Sequence, residues 1–380
     1  MNAAENILAR QPDGKELMAK GLTVLITDGE SDTAFKVMTS LAMVPRIKIH
    51  VLSASTTHPR TRYSRFCSSY TFRPDGPEQG WFEQISDAVE EKRIQVILPV
   101  HAEAVRFASV WREQLSELAA LPPLPDASVF DLAHDKGSLA TFLHERGLPV
   151  PTTIPATHAL DHPNLMFPAL IKPRRLMGGE GIAVCPDKKT LKESIDAHRH
   201  ELEDYIVQEF VGGRDFAATA FCRDGGILAH TLREFTAPRP RVFGPSCSVR
   251  YIDWPQLYEI VERLMFALRW DGIANVGFKY NERTQRPEIL DFNPRFGGNT
   301  VSSAAAGVNF AWLSCLAALR LPLPESRRRL QEYMEIRDAV KRIMRKLKGQ
   351  GGVIPNLLRE TNLPFILRDP APYLNRKCDR

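Results

Sequence analysis

The sequence predicts an α/β protein in which a parallel, helix-flanked sheet precedes a larger unit of mixed α+β character. Three observations carry this. Strands alternate with helices near the start, Pro122, Pro123 and Pro125 interrupt the chain, and short strands then follow one another at hairpin spacing. The 380 residues leave room for two or three cores without disulfides or a structural metal. With 43% hydrophobic and 25% charged residues, collagen-like, coiled-coil and wholly disordered classes are excluded. Six cysteines include no CxxC pair, so neither zinc nor a disulfide framework is indicated, and a reducing cytoplasm suits them.

Residues 1–20 read as a polar leader, whose acids Glu5, Asp13 and Glu16 do not suit a transit peptide. Residues 22–27 form an apolar, β-rich run ending at Asp28 and Gly29, and Phe35, Met38 and Leu41 then repeat at helical spacing. A second strand is expected at 47–52, a helix at 81–91 with Phe82, Ile85 and Val89 on one side, and a third strand at 94–100. These make a first domain of residues 21–125. Residues 131–146 predict one helix, ended by Gly147 with Pro149 and Pro151 beyond. Strands follow at 169–173, 181–185, 205–211, 216–222, 227–233, 275–280 and 288–292, with helices at 188–200 and 255–270. Residues 296–319 carry no charge, but their Asn, Ser, Thr and Gly content predicts a loop and a buried helix rather than a membrane span.

Charge is unevenly placed. Residues 326–380 hold fourteen Lys/Arg against six Asp/Glu, while the rest of the chain holds 36 against 39. Leu330, Met334, Val340, Met344 and Leu347 approximate one stripe of a basic helix, which predicts a terminal helix packed on the body; the sharper alternative is docking to a partner or an acidic surface. No stacking aromatics interleave these charges, so nucleic acid is not supported.

Two segments carry chemistry. In Ile171-Lys172-Pro173, followed by Gly178, Gly179 and Gly181, a strand delivers a Lys to a Gly-rich turn; freed backbone amides and an ammonium there suit a triphosphate. The spacing matches neither GxxxxGK[ST] nor GxGxxG. In Asp291-Phe292-Asn293-Pro294-Arg295, alternation along a strand puts Asp291, Asn293 and Arg295 on one face. A carboxylate and an amide oxygen two residues apart suit magnesium shared with nucleotide phosphates, and Arg295 suits the transferred phosphoryl group.

Together these segments resemble the ATP-grasp superfamily, in its carbamoyl-phosphate-synthase-like and biotin-carboxylase-like form and among its carboxylate-amine ligases. The resemblance runs from about residue 126 to 319. It implies a pre-ATP-grasp α/β domain at 21–125, an ATP-grasp domain at 126–325 with a small lobe at about 152–207 and a hinge at 208–211, and a basic helical tail at 326–380. It implies that Lys136 and Lys172 bind phosphates, that Gly178 to Gly181 close over them, and that Gln208, Glu209, Phe210 and Val211 hold adenine. Asp215 matches the ribose-binding carboxylate, Asp291 and Asn293 the magnesium ligands, and Arg295 the arginine at the reacting phosphate. ATP and Mg2+, with Mn2+ as a substitute, are the implied cofactors. The substrates implied are a small-molecule carboxylate and an amine, and a homodimer is compatible.

Two departures stand out. Gly277 occupies the place of a usual metal-binding acid, with Glu282 and Glu288 as nearby substitutes, and Asp291 is one methylene shorter than the usual Glu. Arg233, Ser246 and Arg250 are candidate acceptor-side residues, and His101 and Glu103, at the carboxyl end of the first sheet, are candidate substrate residues. The implied reaction is attack of a carboxylate on ATP, giving an acylphosphate that an amine converts to an amide. A phosphotransferase without ligation and a nucleotide-binding regulatory protein with a weakened metal site are the alternatives.

Overall fold

The structure is a computed structural model that describes residues 21–55, 59–73, 76–163, 165–176, 178–237, 248–325, 328–329, 331–350 and 353–374. Its first unit runs β1 (Leu22–Ile26), α1 (Asp32–Leu41), β2 (Ile47–Ser53), β3 (Cys67–Phe72), α2 (Glu78–Lys92), β4 (Val96–Leu98), α3 (Ala102–Val110) and α4 (Arg112–Leu118). The strands form a parallel sheet in the order β3-β2-β1-β4. Strand β1 is buried on both faces, which explains its unbroken apolar run. Leu22, Val24 and Ile26 pack with Phe35 and Met38 of α1, whereas Leu25 joins Ile85 and Ile97 on the other side.

Two helices follow, α5 (Ala127–His134) and α6 (Lys136–Glu145), where the sequence pattern suggested one. The break is at Asp135, whose backbone is extended and whose carboxylate accepts the Ser138 N–H at 2.9 Å as the N-cap of α6. The same carboxylate receives Arg174 from just beyond the strand at 169–173, a long-range demand that helical periodicity does not register.

A four-stranded antiparallel sheet comes next, built from β5 (Thr153–Pro155), β6 (Ala169–Pro173), β7 (Ala183–Cys185) and, after α7 (Lys188–Ala197), β8 (Tyr205–Glu209), in the order β5-β8-β6-β7. The chain continues through β9 (Asp215–Arg223), β10 (Gly226–Phe235), β11 (Ser248–Ile252), α8 (Pro255–Leu268), β12 (Gly272–Asn281), β13 (Arg286–Asn293), α9 (Thr300–Ala305) and α10 (Phe310–Ala318). The last elements are β14 (Glu332–Met334), α11 (Ile336–Leu347), α12 (Leu363–Arg368) and α13 (Ala371–Leu374). The six-stranded sheet has the order β13-β12-β9-β10-β11-β14. Phe216, Ala218, Leu232, Val276 and Phe292 of one face pack on Leu257, Val261 and Leu264 of α8. The other face carries the polar residues described below.

Residues 296–319 contain α9 and the buried helix α10, and among the described residues no helix is long and apolar enough to cross a membrane. The C-terminal region differs from the expected single packed helix. Met334 lies in β14, which pairs with β11, and Leu330 is outside the described residues. In α11, Val340, Met344 and Leu347 are 44%, 53% and 79% exposed, so that stripe faces outward and Ala339 faces in. The chain then returns to the first unit. Asp369 accepts hydrogen bonds from Ser64 Oγ and the Arg65 N–H, and the Arg60 guanidinium lies 4.2 Å from the Phe35 ring and 4.4 Å from the Tyr373 ring.

Candidate functional site

The short sheet and the six-stranded sheet meet at Lys172. It is the penultimate residue of β6, and its ammonium, almost wholly buried, donates to Gln208 Oε1 at 2.8 Å on β8 and to the Leu290 carbonyl at 3.3 Å on β13. Gln208 is oriented in turn by donating to Thr153 Oγ1 at 2.8 Å. Burial pushes the Lys172 amine down to about 8, against the attraction of Asp291 and with the repulsion of Lys136. Lys136, first residue of α6, donates to the Leu176 and Arg174 carbonyls, and its Nζ lies 3.9 Å from Asp291 Oδ1. Two ammonium groups and a carboxylate therefore face one another in one cleft.

Asp291 and Asn293 share a face, and Asn293 Nδ2 donates to Asp291 Oδ2 at 2.7 Å. Arg295 Nη2 is 3.3 Å from Asn293 Oδ1, and its Nη1 donates to the Phe296 carbonyl at 2.8 Å. Burial lowers the Arg295 guanidinium against the pull of Asp291. Gly277 pairs directly with Asp291 across β12 and β13, so no second carboxylate stands opposite it. Glu288 is buried and accepts from Thr284 Oγ1 at 3.0 Å, while Glu282 lies in the β12–β13 turn. Among the described residues no three His, Cys, Asp or Glu side chains are grouped to hold a metal.

At the end of β8, Glu209 receives Arg283 through its side chain, and the Phe210 N–H donates to the Pro168 carbonyl. A pocket of about 250 Å³ opens here between Phe167, Pro168, Phe210 and Val211 on one side and Asn281 and Arg283 on the other. Asp215 Oδ1 lies 3.4 Å from Lys279 Nζ. Gly178, Gly179 and Gly181 have φ of 70°, 82° and 70°, so the turn after β6 needs a left-handed backbone that side chains resist. At Gly181 a Cβ would also come within 2.7 Å of Pro173 Cγ.

The remaining candidates divide. His101 precedes α3 and its N–H donates to Asp28. Burial, then the charges of Arg295 and His134, lower its imidazole to about 4, so it is neutral at pH 7. The Phe296 N–H donates to the Val100 carbonyl, which ties this strand end to Arg295. Glu103 is exposed in the first turn of α3. Arg233 is buried and donates to Thr219 Oγ1 at 2.8 Å. Arg250 stands apart from the cleft residues. It alternates with Tyr251 on β11, lies on the opposite face from Asp291, and is engaged by Glu332 at 2.7 Å and Glu234 at 3.9 Å. Ser246 lies outside the described residues. The Asp135–Arg174 pair, Arg283 and the Thr219–Asn275 bond had no local signal, because each joins residues far apart in sequence.

Residues 201–341 match the family described as "ATP-grasp in the biosynthetic pathway with Ter operon". The ADP-bound N5-carboxyaminoimidazole synthetase of Staphylococcus aureus superimposes with a TM-score of 0.66 at 16% identity, over 87% of this chain and 86% of that one. This is an ATP-grasp fold. Biotin carboxylase of Campylobacter jejuni gives a TM-score of 0.63 at 15% identity, covering 80% of this chain and 72% of that chain. The L-amino acid ligase of Bacillus licheniformis gives 0.59 at 17%, over 81% and 78%. By sequence, the uncharacterized protein y4rH of Sinorhizobium fredii is 26% identical over 47% of this chain and 39% of its own length. The N-terminal section of the carbamoyl phosphate synthase large chain of Methanopyrus kandleri is 22% identical over 42% and 30%. The chain thus spans well under half the length of these two curated relatives. In ATP-grasp terms, the cleft described above lies between the two antiparallel sheets.

Proposed function

We propose that this chain is an ATP-dependent ligase that activates a carboxylate as an acylphosphate and passes it to an amine. The observation that supports this best is the convergence of Lys136, Lys172 and Asp291, with Asn293 and Arg295 beside them, at the meeting of the two sheets. In this reading Lys136 and Lys172 neutralise the triphosphate, the hinge pocket takes the adenine, and Arg295 faces the phosphoryl group under attack. Positioning and electrostatics then account for catalysis, with closure of the Gly178 to Gly181 turn excluding water from the acylphosphate. His101, neutral and within electrostatic reach of Arg295, is a candidate for contact with the substrate.

A divalent ion fits the donors present. Asp291 and Asn293 carry hard oxygens on one face, although Asn293 now turns its Nδ2 to Asp291 and its Oδ1 to Arg295, and magnesium commonly needs only one or two protein ligands when phosphates and waters complete its shell. Such an ion, when bound, would neutralise phosphate charge. Asp291 would have to exchange its bond to Asn293 Nδ2 for it. The space opposite Asp291, left by Gly277, argues for one such ion rather than two.

The reading is tested by a magnesium-dependent ADP-release screen of carboxylates, alone and with amines. Lys172→Ala and Asp291→Asn are expected to lower turnover by at least roughly a hundredfold, the scale of losing one transition-state donor. ADP release independent of amine would instead mark a phosphotransferase. ATP binding without turnover across the panel would mark a regulatory protein.

A further inference from the structure

One cross-strand row of the six-stranded sheet extends from the proposed phosphoryl-transfer residues to a buried cation that no carboxylate among the described residues neutralises. Directly paired residues run Asp291 on β13, Gly277 on β12, Ala217 on β9, Arg233 on β10 and Tyr251 on β11. Paired residues of an antiparallel sheet point to the same face, so Asp291 and Arg233 share one. Between them stand Gly277 and Ala217, which leave the floor free of larger side chains. A Cβ built on Gly277 would meet only Asp291 atoms, at 3.7 and 3.9 Å.

Arg233 is 7% exposed, and no carboxylate lies against it among the described residues. Its neighbour Glu234 points to the other face, toward Arg214 and Arg250. Residues 238–247, the stretch after β10, contain no Asp or Glu, so that segment supplies no counter-charge either. Tyr251 does not supply one, because burial raises its phenol and keeps it neutral. The guanidinium, lowered by burial to about 10, is still charged at neutral pH.

Its surroundings hold it in place rather than neutralise it. Thr219 Oγ1 accepts from Arg233 and from Asn299 Nδ2 at 2.9 Å, and donates to Asn275 Oδ1 at 2.6 Å. Both lone pairs and the proton of that hydroxyl are therefore used. Asn275 Nδ2 in turn donates to the Arg295 carbonyl at 2.7 Å, which links the guanidinium to the arginine of the reacting phosphate. Asn299 Oδ1 is buried without a partner. An isolated buried charge is costly to a fold, so a cation kept here by a fully engaged hydroxyl calls for an anion from outside.

We propose that Arg233 is the substrate's anion-binding residue, holding a carboxylate of the acid or of the acceptor on the floor of the cleft. The guanidinium leans toward β9, two strand spacings from β13, or roughly 10 Å from the Asp291 strand at the usual interstrand distance. That span leaves room for a nucleotide phosphate between them. The proposal rests on the ligase reading and adds to it the residue that selects an anionic substrate.

The test uses the full chain saturated with MgADP, with thermal melts in acetate or succinate against chloride at equal ionic strength. Wild type is expected to gain about 2 °C or more from the carboxylate, and Arg233→Met to gain none. A larger gain from succinate places a second carboxylate at Arg233, whereas equal gains place the single one there. Arg233→Met without carboxylate is expected to melt no lower than wild type, since it removes an unneutralised charge, and to bind ADP within twofold of wild type. Arg233→Lys is expected to keep part of the carboxylate response. An unchanged carboxylate gain in Arg233→Met, a variant melting several degrees lower, or no gain in wild type would overturn the proposal. Failure of wild type to bind ADP at all would instead refute the ATP-dependent reading beneath it.

Discussion

Lys172 carries a proton whose retention depends on burial as well as pH. With its amine lowered from 10.5 to about 8, nucleotide affinity is expected to weaken as pH rises through 8, because the uncharged amine no longer attracts phosphate. Titration of ADP binding from pH 7 to 9.5 checks this, and Lys172→Arg, which does not titrate there, should flatten the profile. Stability runs the other way. Below pH 8 both folded and unfolded chains hold the proton and the burial penalty is complete. Between about 8 and 10.5 the unfolded chain binds more protons, so this group's contribution to stability rises with pH. The type of Lys172 and its place before a Gly-rich turn were legible in the sequence. Its depressed pKa was not, since that follows from burial between strands far apart in the sequence, with the charge of Lys136 adding to it.

Among the elements, the start of α6 and the β12–β13 pair decide the site's geometry. Asp135 caps α6 and pairs with Arg174, so it fixes Lys136 at the edge of β6. Asp135→Ala is expected to cost about 2–3 kcal/mol in urea melts, with Asp135→Asn costing less because it keeps the cap. Burial would raise the Asp135 carboxyl, but Arg174 and the Ser138 N–H outweigh it and hold the group below the ordinary carboxylate range. Its contribution is therefore complete above the unfolded carboxylate value and lost as pH falls through the folded one. Across the cleft, Gly277 has open space beside Asp291. Gly277→Asp is expected to lower the melting temperature without metal, by like-charge repulsion, and to regain it with Mg2+ or Mn2+; a metal titration of the melt reads both. Most strands were visible as apolar runs, while the edge strands β3, β5 and β14 and the five-residue β11 were missed because short or half-exposed strands show little alternation.

Over the whole molecule, the C-terminal region is a tie between units rather than an appendage. It adds β14 beside β11 and then reaches the first unit, Asp369 at Ser64 and Arg65 and Tyr373 at Phe35 of α1. Deleting residues from 326 onward is expected to expose the β11 edge and cause aggregation in gel filtration, whereas removing residues 375–380 should leave the elution unchanged. The composition of this region showed its basic charge correctly. Periodicity misled there, because Met334 satisfies a helical stripe and yet pairs in a sheet, and Val340, Met344 and Leu347 face solvent.

The sequence by itself determined the fold class and the chemical type of the main cleft residues. Apolar periodicity and glycine positions are local, and Lys172 or Asp291 can be recognised beside their own neighbours. Only the tertiary structure decided which of those residues share a face and which charges are neutralised. Arg233 and Arg250 are equivalent in sequence terms, both arginines flanking the same loop. Strand pairing turns one toward the Asp291 row, buried without a carboxylate among the described residues, and the other outward onto Glu332, because alternate residues of a strand project to opposite faces and register alone assigns them.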